Sequence, residues 1–230
     1  MSGTRLDRAT WPEVAERALE PTTLLVPLGA TEQHGPHLPF GTDTAIAVAL
    51  AEAAAERLPD ALSAPALPYG SSGEHQDFPG TLSIGAACTE MVLVELGRSA
   101  SETFERLVFV NAHGGNAAPV AAAVELLRAE GRDALAWSPR FGGDAHAGRI
   151  ETSLMLALAV TQVRAERAAG SVAPLREIIG TLRAEGVGAV SPNGVLGDPT
   201  TASAAQGRAL LAAAVDDLCT VCTRSGMGAR

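Results

Sequence analysis

The chain has 230 residues, of which 47% are hydrophobic and 3% aromatic, and its formal net charge is −9. This length allows one large domain with a substantial core, and the acidic balance argues against a nucleic-acid partner, because nucleic acids bind basic surfaces. All 17 residues in the lysine-plus-arginine count are arginines, which excludes lysine Schiff-base chemistry, a P-loop lysine and a serine–lysine dyad.

The N-terminal segment and the apolar runs give no sign of export or of a membrane span. No apolar run reaches the roughly 20 residues that a bilayer requires, and the first residues lack the hydrophobic stretch of a signal peptide. We therefore expect a cytoplasmic protein with no membrane partner. The 3 cysteines are an odd number, which does not describe a disulfide framework. Cys219 and Cys222 have redox-like spacing, but they close a long helical pattern, where small buried side chains are the simpler interpretation.

The hydrophobic pattern predicts strands that alternate with helices. The expected elements of the first half are an amphipathic segment over 1–20, a strand at 22–28, a helix from a cap at Thr42 or Asp43 to about 58, a strand at 61–67 and a helix at 89–104. Those of the second half are a strand at 106–111, a helix from about 117, a strand at 134–137 and helices near 151–159, 174–185 and 203–222. This alternation predicts an α/β fold with a mostly parallel sheet covered on both faces. No repeat or linker interrupts the pattern, so we predict one domain over 1–230.

Each polar motif of the chain follows a predicted strand, which is where ligands bind in parallel sheets. All 5 histidines lie in such loops: His34, His37, His75, His113 and His146. A lone histidine is more often structural than catalytic, but five in loops at one sheet edge indicate a shared site. The same loops and the helix that follows the last of them carry Glu32, Asp43, Glu74, Asp77, Asp144 and Glu151.

Imidazole and carboxylate ligands without cysteine suit a catalytic Zn, Fe or Mn ion rather than a structural zinc. Several carboxylates favour two metals, because one carboxylate can bridge them. Such a pair polarises a carbonyl and activates water, so the residues predict hydrolysis of an amide-type bond.

Three motifs stand in the order found in one known family: Glu32–His37 with Thr42-Asp43, His113–Asn116, and His146–Gly148 with Glu151–Ser153. On these motifs the chain resembles the creatininase (creatinine amidohydrolase) family from about residue 22 to 200. The resemblance implies a three-layer α/β/α sandwich, two divalent metal ions per chain and a homo-oligomer. It also implies that the metal ligands are Glu32, His34, Asp43 and His113, with Asp43 bridging.

One position departs from creatininase itself, which has a further carboxylate ligand where this chain has Gly115. The departure argues against creatinine as the substrate. We nominate Glu151 to replace that ligand, because the first turn of a helix after His146 could direct it inward. His146 is the candidate for general acid–base catalysis or for holding the substrate carbonyl, and its alternative role is to cap the following helix.

The substrate-binding candidates come from two other loops. Glu74 and His75 are predicted to face the substrate, since their loop resembles the second loop of the family. Gly114, Gly115 and Asn116 open a helix, whose free N–H groups favour an anion or a developing oxyanion. The same three residues could equally form only a tight turn. We expect His37 to support the site rather than to bind metal.

Within the family, three stretches resemble a peptidase branch: Gly70–Gln76, Asp144–Gly148 and Ala189–Thr200. That resemblance implies that a small modified peptide is the substrate and loses a C-terminal dipeptide. The alternative within enzymes is another amidohydrolase, acting on a small cyclic amide or a formamide. A non-catalytic binding protein is a third possibility, but it would be expected to have lost some of the four ligands named above, and all four are present. A dinucleotide binder would need a glycine fingerprint after the first strand, which the chain lacks.

Overall fold

The structure is a computed structural model that describes residues 4–224. Its strands are β1 (Thr23–Leu28), β2 (Ala61–Ser63), β3 (Arg106–Asn111) and β4 (Asp133–Trp137). Within the described residues they form one parallel sheet of 4 strands in the order β2–β1–β3–β4. The predicted α/β fold with a parallel sheet is therefore confirmed.

Eight helices accompany the sheet in this part of the chain. They are α1 (Trp11–Arg17), α2 (Thr42–Arg57), α3 (Ala86–Ala100), α4 (Ala117–Ala129), α5 (Arg149–Leu158), α6 (Leu175–Glu185), α7 (Val187–Val190) and α8 (Ala204–Arg224). Short 3₁₀ turns occur at Leu6–Arg8, Gly73–His75, Gly114–Asn116 and Val160–Gln162.

Alternate side chains of the strands enter two separate cores, because successive residues of a strand point to opposite faces. One core joins the sheet to α2, α5 and α8 and includes Leu25, Val108, Leu50, Leu154 and Leu218. The other joins it to α3 and α4 and includes Leu24, Phe109, Leu93 and Leu127. The sheet is thus the middle layer of an α/β/α sandwich, as the family resemblance implies.

Two predicted element boundaries were wrong for local reasons. The second strand ends at Ser63 rather than at 67, because Pro65 has no N–H for the ladder; pairing resumes when Leu67 N donates to the Pro27 carbonyl at 2.9 Å. The third helix spans Ala86–Ala100 rather than 89–104. It begins after Gly85, and Thr89 lies inside its first turn, where its hydroxyl donates to the Gly85 carbonyl.

The predicted cap of α2 was also wrong. Gly41 is the N-cap, and Thr42 and Asp43 are the first residues of the helix. The Thr42 hydroxyl donates to the Pro39 carbonyl at 2.7 Å, while the Asp43 carboxylate faces the histidines described below. The first turn of α2 therefore places a carboxylate in the site instead of closing the helix.

Two further predictions concern the role of the cysteines and the absence of a membrane-spanning helix. The cysteines are free, and Cys222 packs in the core beneath α8. Burial raises the pKa of the Cys222 thiol to about 11, so it packs as a small apolar side chain, as predicted. No helix within residues 4–224 is long and apolar enough to cross a membrane.

Candidate active site

The loops predicted to carry the chemistry converge on one cavity beside the carboxyl ends of the strands. Its volume is about 810 Å³. The predicted site residues that line it are Glu32, Asp43, Glu74, His75, His113, Gly114, Gly115, His146 and Glu151. Neither His34 nor Asn116 lines the cavity, and His34 is fully buried.

Asp43 lies between two histidines that come from different loops. Its Oδ1 is 3.0 Å from His34 Nε2, and its Oδ2 is 3.3 Å from His113 Nδ1. The first turn of a helix favours a carboxylate, because the helix dipole is positive there. A carboxylate that presents one oxygen to each of two imidazoles is arranged to bridge two cations.

Glu32 is a fully buried carboxylate whose oxygens receive no hydrogen bond. Its Oε2 is 3.2 Å from His113 Nε2, and its Oε1 is 3.3 Å from His75 Nε2. Neither Glu32 oxygen nor Asp43 Oδ2 has a hydrogen-bond partner among the described residues. Buried carboxylate oxygens without partners are costly, so these three oxygens call for a bound cation.

The donor atoms form three overlapping groups in which ligand atoms lie within 4.8 Å of one another. The groups are Glu32, His34 and His146; Glu32, Asp43 and His113; and His34, Asp43 and Glu151. Glu32, His34 and Asp43 each belong to two of them, but only a carboxylate can bridge two adjacent ions, whereas the one available nitrogen of His34 binds a single ion. Imidazole and carboxylate donors suit Zn, Fe and Mn, so the residues present fit a divalent metal.

The ring of His34 is oriented by its own loop. Its Nδ1 lies 3.1 Å from the Glu32 carbonyl, and donation of the Nδ1 proton to that carbonyl leaves Nε2 facing Asp43. Burial by itself lowers the pKa of His34, but the charge and hydrogen bond of Asp43 raise it to about 10. Against the same effect of burial, Glu32 and Asp43 raise the pKa of His113 well above its usual range.

The pKa of Asp43 moves in the complementary direction. Burial by itself would raise it, but the neighbouring charged rings of His34 and His113 hold the pKa of Asp43 well below its usual range. In the metal-free protein, two imidazolium groups therefore neutralise the buried carboxylates. A metal ion must displace these protons when it binds.

His146 and His75 are held in the neutral state. Burial and the charge of His34 lower the pKa of His146 to about 4, and burial and the neighbouring histidines lower that of His75 to about 2. His146 Nε2 is 2.8 Å from the Gln33 carbonyl. Donation of its proton there leaves Nδ1 unprotonated, 3.6 Å from Glu32 Oε1. That nitrogen can accept a proton or bind a cation.

The alternative role of His146 as a helix cap was wrong. The N-cap of α5 is Gly148, and the N–H of the first helical residue, Arg149, donates to Asp144 Oδ2. Glu151, in the first turn of α5, accepts a 2.6 Å hydrogen bond from Ala147 N through Oε2. The same oxygen is 3.8 Å from His34 Nε2, so Glu151 does face inward, and burial raises its pKa.

Gly115 has no room for a side chain. A β-carbon there would collide with the Ser71 carbonyl oxygen and would lie 2.7 Å from Glu74 Oε1. That carboxylate oxygen is 3.9 Å from His113 Nε2. Glu74, from another loop, therefore occupies the space in which a side chain at position 115 would begin.

Asn116 has a different place in the structure from the one expected of a substrate-binding residue. Its Oδ1 accepts a hydrogen bond from Ser71 N at 2.9 Å, and its Nδ2 donates to the Gly29 carbonyl at 2.9 Å and to Asn111 Oδ1 at 3.3 Å. The side-chain amide of Asn116 thus joins the loops after β1 and β2 to the end of β3, and all three of its hydrogen bonds are made to protein groups. Gly114 and Gly115 form a 3₁₀ turn with Asn116 ahead of α4.

His37 lies apart from the other histidines, as expected of a supporting residue. Its Nε2 is 2.8 Å from the Thr152 hydroxyl, which ties the first loop to α5. Burial and the charge of Arg167 lower the pKa of His37 to about 4.

Gln33 is a residue of the site that the sequence motifs did not indicate. Its side-chain amide nitrogen is 2.8 Å from His75 Nδ1, 3.2 Å from His146 Nε2 and 3.1 Å from the Gly194 carbonyl. Its Oε1 accepts a hydrogen bond from Gly35 N at 2.8 Å. The only signal in the sequence is its position between Glu32 and His34, because its partners lie far along the chain.

The fold and the buried donor set define a class of protein, the metal-dependent α/β/α hydrolases. Residues 7–222 match the family described as creatinine amidohydrolase. The chain belongs to this creatininase family, and it is a hydrolase that acts on amide bonds.

Known relatives agree with this assignment. The mycofactocin precursor peptide peptidase of Mycobacterium ulcerans (strain Agy99) is 52% identical over 220 residues, which cover 91% of this chain and 84% of the relative. A creatininase structure described as the Mn form is 26% identical with a TM-score of 0.85, covering 97% of this chain and 99% of its own. A creatininase variant described as Zn-Zn type is 26% identical with a TM-score of 0.84, covering 98% and 99%.

Proposed function

We propose that the protein is a dinuclear metal-dependent peptidase that removes the modified C-terminal dipeptide from the mycofactocin precursor peptide. The observation that carries the proposal is the set of buried, unpartnered oxygens of Glu32 and Asp43 at one end of a cavity of about 810 Å³. Pockets for drug-sized ligands span roughly 300–1,000 Å³. The cavity therefore has room for several peptide residues, which is far more than a small cyclic amide needs.

We propose two divalent ions per chain, drawn from Zn, Fe and Mn, because the donor set suits all three. Glu32, Asp43 and His113 would hold one ion, and His34, Asp43 and Glu151 the other, with Asp43 shared. Creatininase relatives described as Mn and Zn-Zn forms support this choice. When bound, such ions polarise a carbonyl and lower the pKa of water to about neutrality.

The side chains around the ions then have separate tasks. His146 lies in the cavity wall with an unprotonated Nδ1, so it can take a proton from the attacking water and return one to the leaving amine. Gln33 orients the ring of His75 through its side-chain amide and the ring of His146 through its backbone carbonyl. Glu74, His75, Gly114 and Gly115 line the cavity, and N–H groups of the two glycines that reach a substrate oxygen would stabilise negative charge on it.

The substrate is tested by incubating the metal-loaded protein with the modified precursor peptide and, separately, with creatinine. We expect cleavage of the peptide, followed by mass spectrometry, and no turnover of creatinine. Turnover of creatinine alone would overturn the proposal.

The role of Glu151 is tested by metal content. Glu151→Gln should lower the content to below two ions per chain, because a neutral amide is a poor ligand for these ions. Glu125→Gln, an exposed glutamate on α4, is the matched control and should leave the content unchanged. Equal metal content in both variants would remove Glu151 from the ligand set.

The organisation of the protein in the cell stays a prediction. We propose a single domain over 1–230, which extends beyond the described residues at both ends, a cytoplasmic location and a homo-oligomer. Sedimentation of the purified protein tests the last of these.

A further inference from the structure

Part of the cavity lining comes from α6. Leu175, Ile179, Leu182 and Arg183 from this helix all line the cavity. Leu175, Ile179 and Arg183 recur every four residues, which places them on one side of the helix, and Leu182 lies three residues after Ile179 on the same side. This wall therefore consists of apolar residues, with Arg183 and Glu185 near the end of α6.

This wall is held in place by a small core of its own. Leu182 is buried and packs with Val187 and Leu196. Phe78 and Ile178 pack against the same cluster. Arg183 itself is exposed, so it stands where the cavity opens to solvent.

Arg183 is the only arginine among the described residues that line the cavity. Six carboxylates line it as well: Glu32, Asp43, Glu74, Asp77, Glu151 and Glu185. Nevertheless, within residues 4–224 the Arg183 guanidinium forms no ion pair or hydrogen bond. By contrast, Arg106 is bound to Asp133, and Arg98 to Glu95 and Glu130. The N–H donors of Arg183 are therefore available to a ligand that enters the cavity from solvent.

We propose that Arg183 binds a carboxylate of the peptide substrate while Leu175 and Ile179 contact the apolar side chains beside it. A guanidinium matches a carboxylate with two parallel hydrogen bonds. Because six carboxylates line the cavity, one guanidinium at its opening also orients an anionic substrate. The inference rests on the proposed peptidase function and identifies a residue that selects the substrate.

The carboxylate has two sources, an acidic side chain of the peptide or a free C-terminus, and the experiment separates them. Each acidic side chain near the scissile bond is changed to its amide in one set of precursor peptides, and any terminal carboxylate is blocked as an amide in another. Cleavage of every peptide is measured with the wild-type protein and with Arg183→Gln. Comparing the two proteins isolates the contribution of the contact between Arg183 and the peptide carboxylate to kcat/KM.

With the wild-type protein, we expect neutralisation of one carboxylate of the peptide to lower kcat/KM by about tenfold, mainly through KM. With Arg183→Gln, the same change in the peptide should have no additional effect. Arg183→Lys should restore part of the loss, because lysine keeps the charge without the fork. Arg176→Gln is the matched control: Arg176 is exposed on the same helix, pairs with Glu177 and does not line the cavity. It should behave as the wild type does.

Equal effects of every neutralised carboxylate on the wild type and on Arg183→Gln would overturn the assignment of Arg183 while leaving the peptidase function intact. Failure of the wild-type protein to cleave the unaltered peptide would overturn the proposed function, and the role of Arg183 with it.

Discussion

Gly115 and Gly114 are neighbours that should respond in opposite ways to the addition of one methyl group. A β-carbon at Gly114 would meet no atom within 4 Å, whereas one at Gly115 would collide with the Ser71 carbonyl and approach His113 Nε2 and Glu74 Oε1. Neither glycine has a positive φ, so alanine is compatible with both backbones. Gly115→Ala should therefore destabilise the protein through crowding alone, and Gly114→Ala should not.

The magnitude follows from the atoms that would have to move. Overpacking in a close-packed region costs about 1–3 kcal/mol. The upper part of that range applies here, because the obstacle is a backbone carbonyl that is itself 2.8 Å from His113 Nε2. For a domain of this size each kcal/mol lowers Tm by about 2–4 °C, so Gly115→Ala should melt about 4–12 °C lower. Gly114→Ala should melt at or slightly above the wild-type temperature, because it removes freedom from the unfolded chain.

Calorimetry of the metal-free proteins measures this difference, and elemental analysis after metal loading measures its consequence for the site. Because the new methyl would displace His113, Gly115→Ala should also hold less metal than Gly114→Ala. Equal melting temperatures for the two variants would show that the loop at 71–74 yields freely. Such a result would refute the placement of Glu74 in the space beside Gly115.

Three further outcomes follow from the same geometry. Glu32→Gln should lose metal by elemental analysis while keeping its circular dichroism spectrum, since neither oxygen takes part in a hydrogen bond of the fold; unchanged metal content would contradict this. Metal binding at pH 7 should release about two protons, because the pKa of His34 is raised to about 10 and that of His113 is also raised. Calorimetry in two buffers of different ionisation enthalpy measures the release; the contribution of His34 should be lost as the pH rises through about 10, and no release at pH 7 would refute the electrostatic account. Asn116→Ala should lower the free energy of unfolding by about 2–3 kcal/mol and leave KM nearly unchanged, because its amide binds only protein groups; a large rise in KM with normal stability would instead place Asn116 at the substrate.

The sequence by itself determined the fold class and the loops that carry the chemistry. Hydrophobic periodicity is local, so β1, β3 and the flanking helices could be read within windows of about ten residues. Glu32, His34 and Asp43 stand within twelve positions on one loop and the helix after it, and His113 follows a strand that had to be parallel to β1. Parallel strands bring these loops to the same edge.

Only the tertiary structure decided how these residues are arranged. The place of Gln33 among two histidines, the use of the Asn116 amide to join separate loops and the lack of space at Gly115 all depend on contacts between residues more than forty positions apart. The same holds for the charge states, since burial and neighbouring ions, not residue type, make His34 a cation and His146 neutral. Sequence spacing constrains which side chains can meet along one element, but loop packing fixes which ones do.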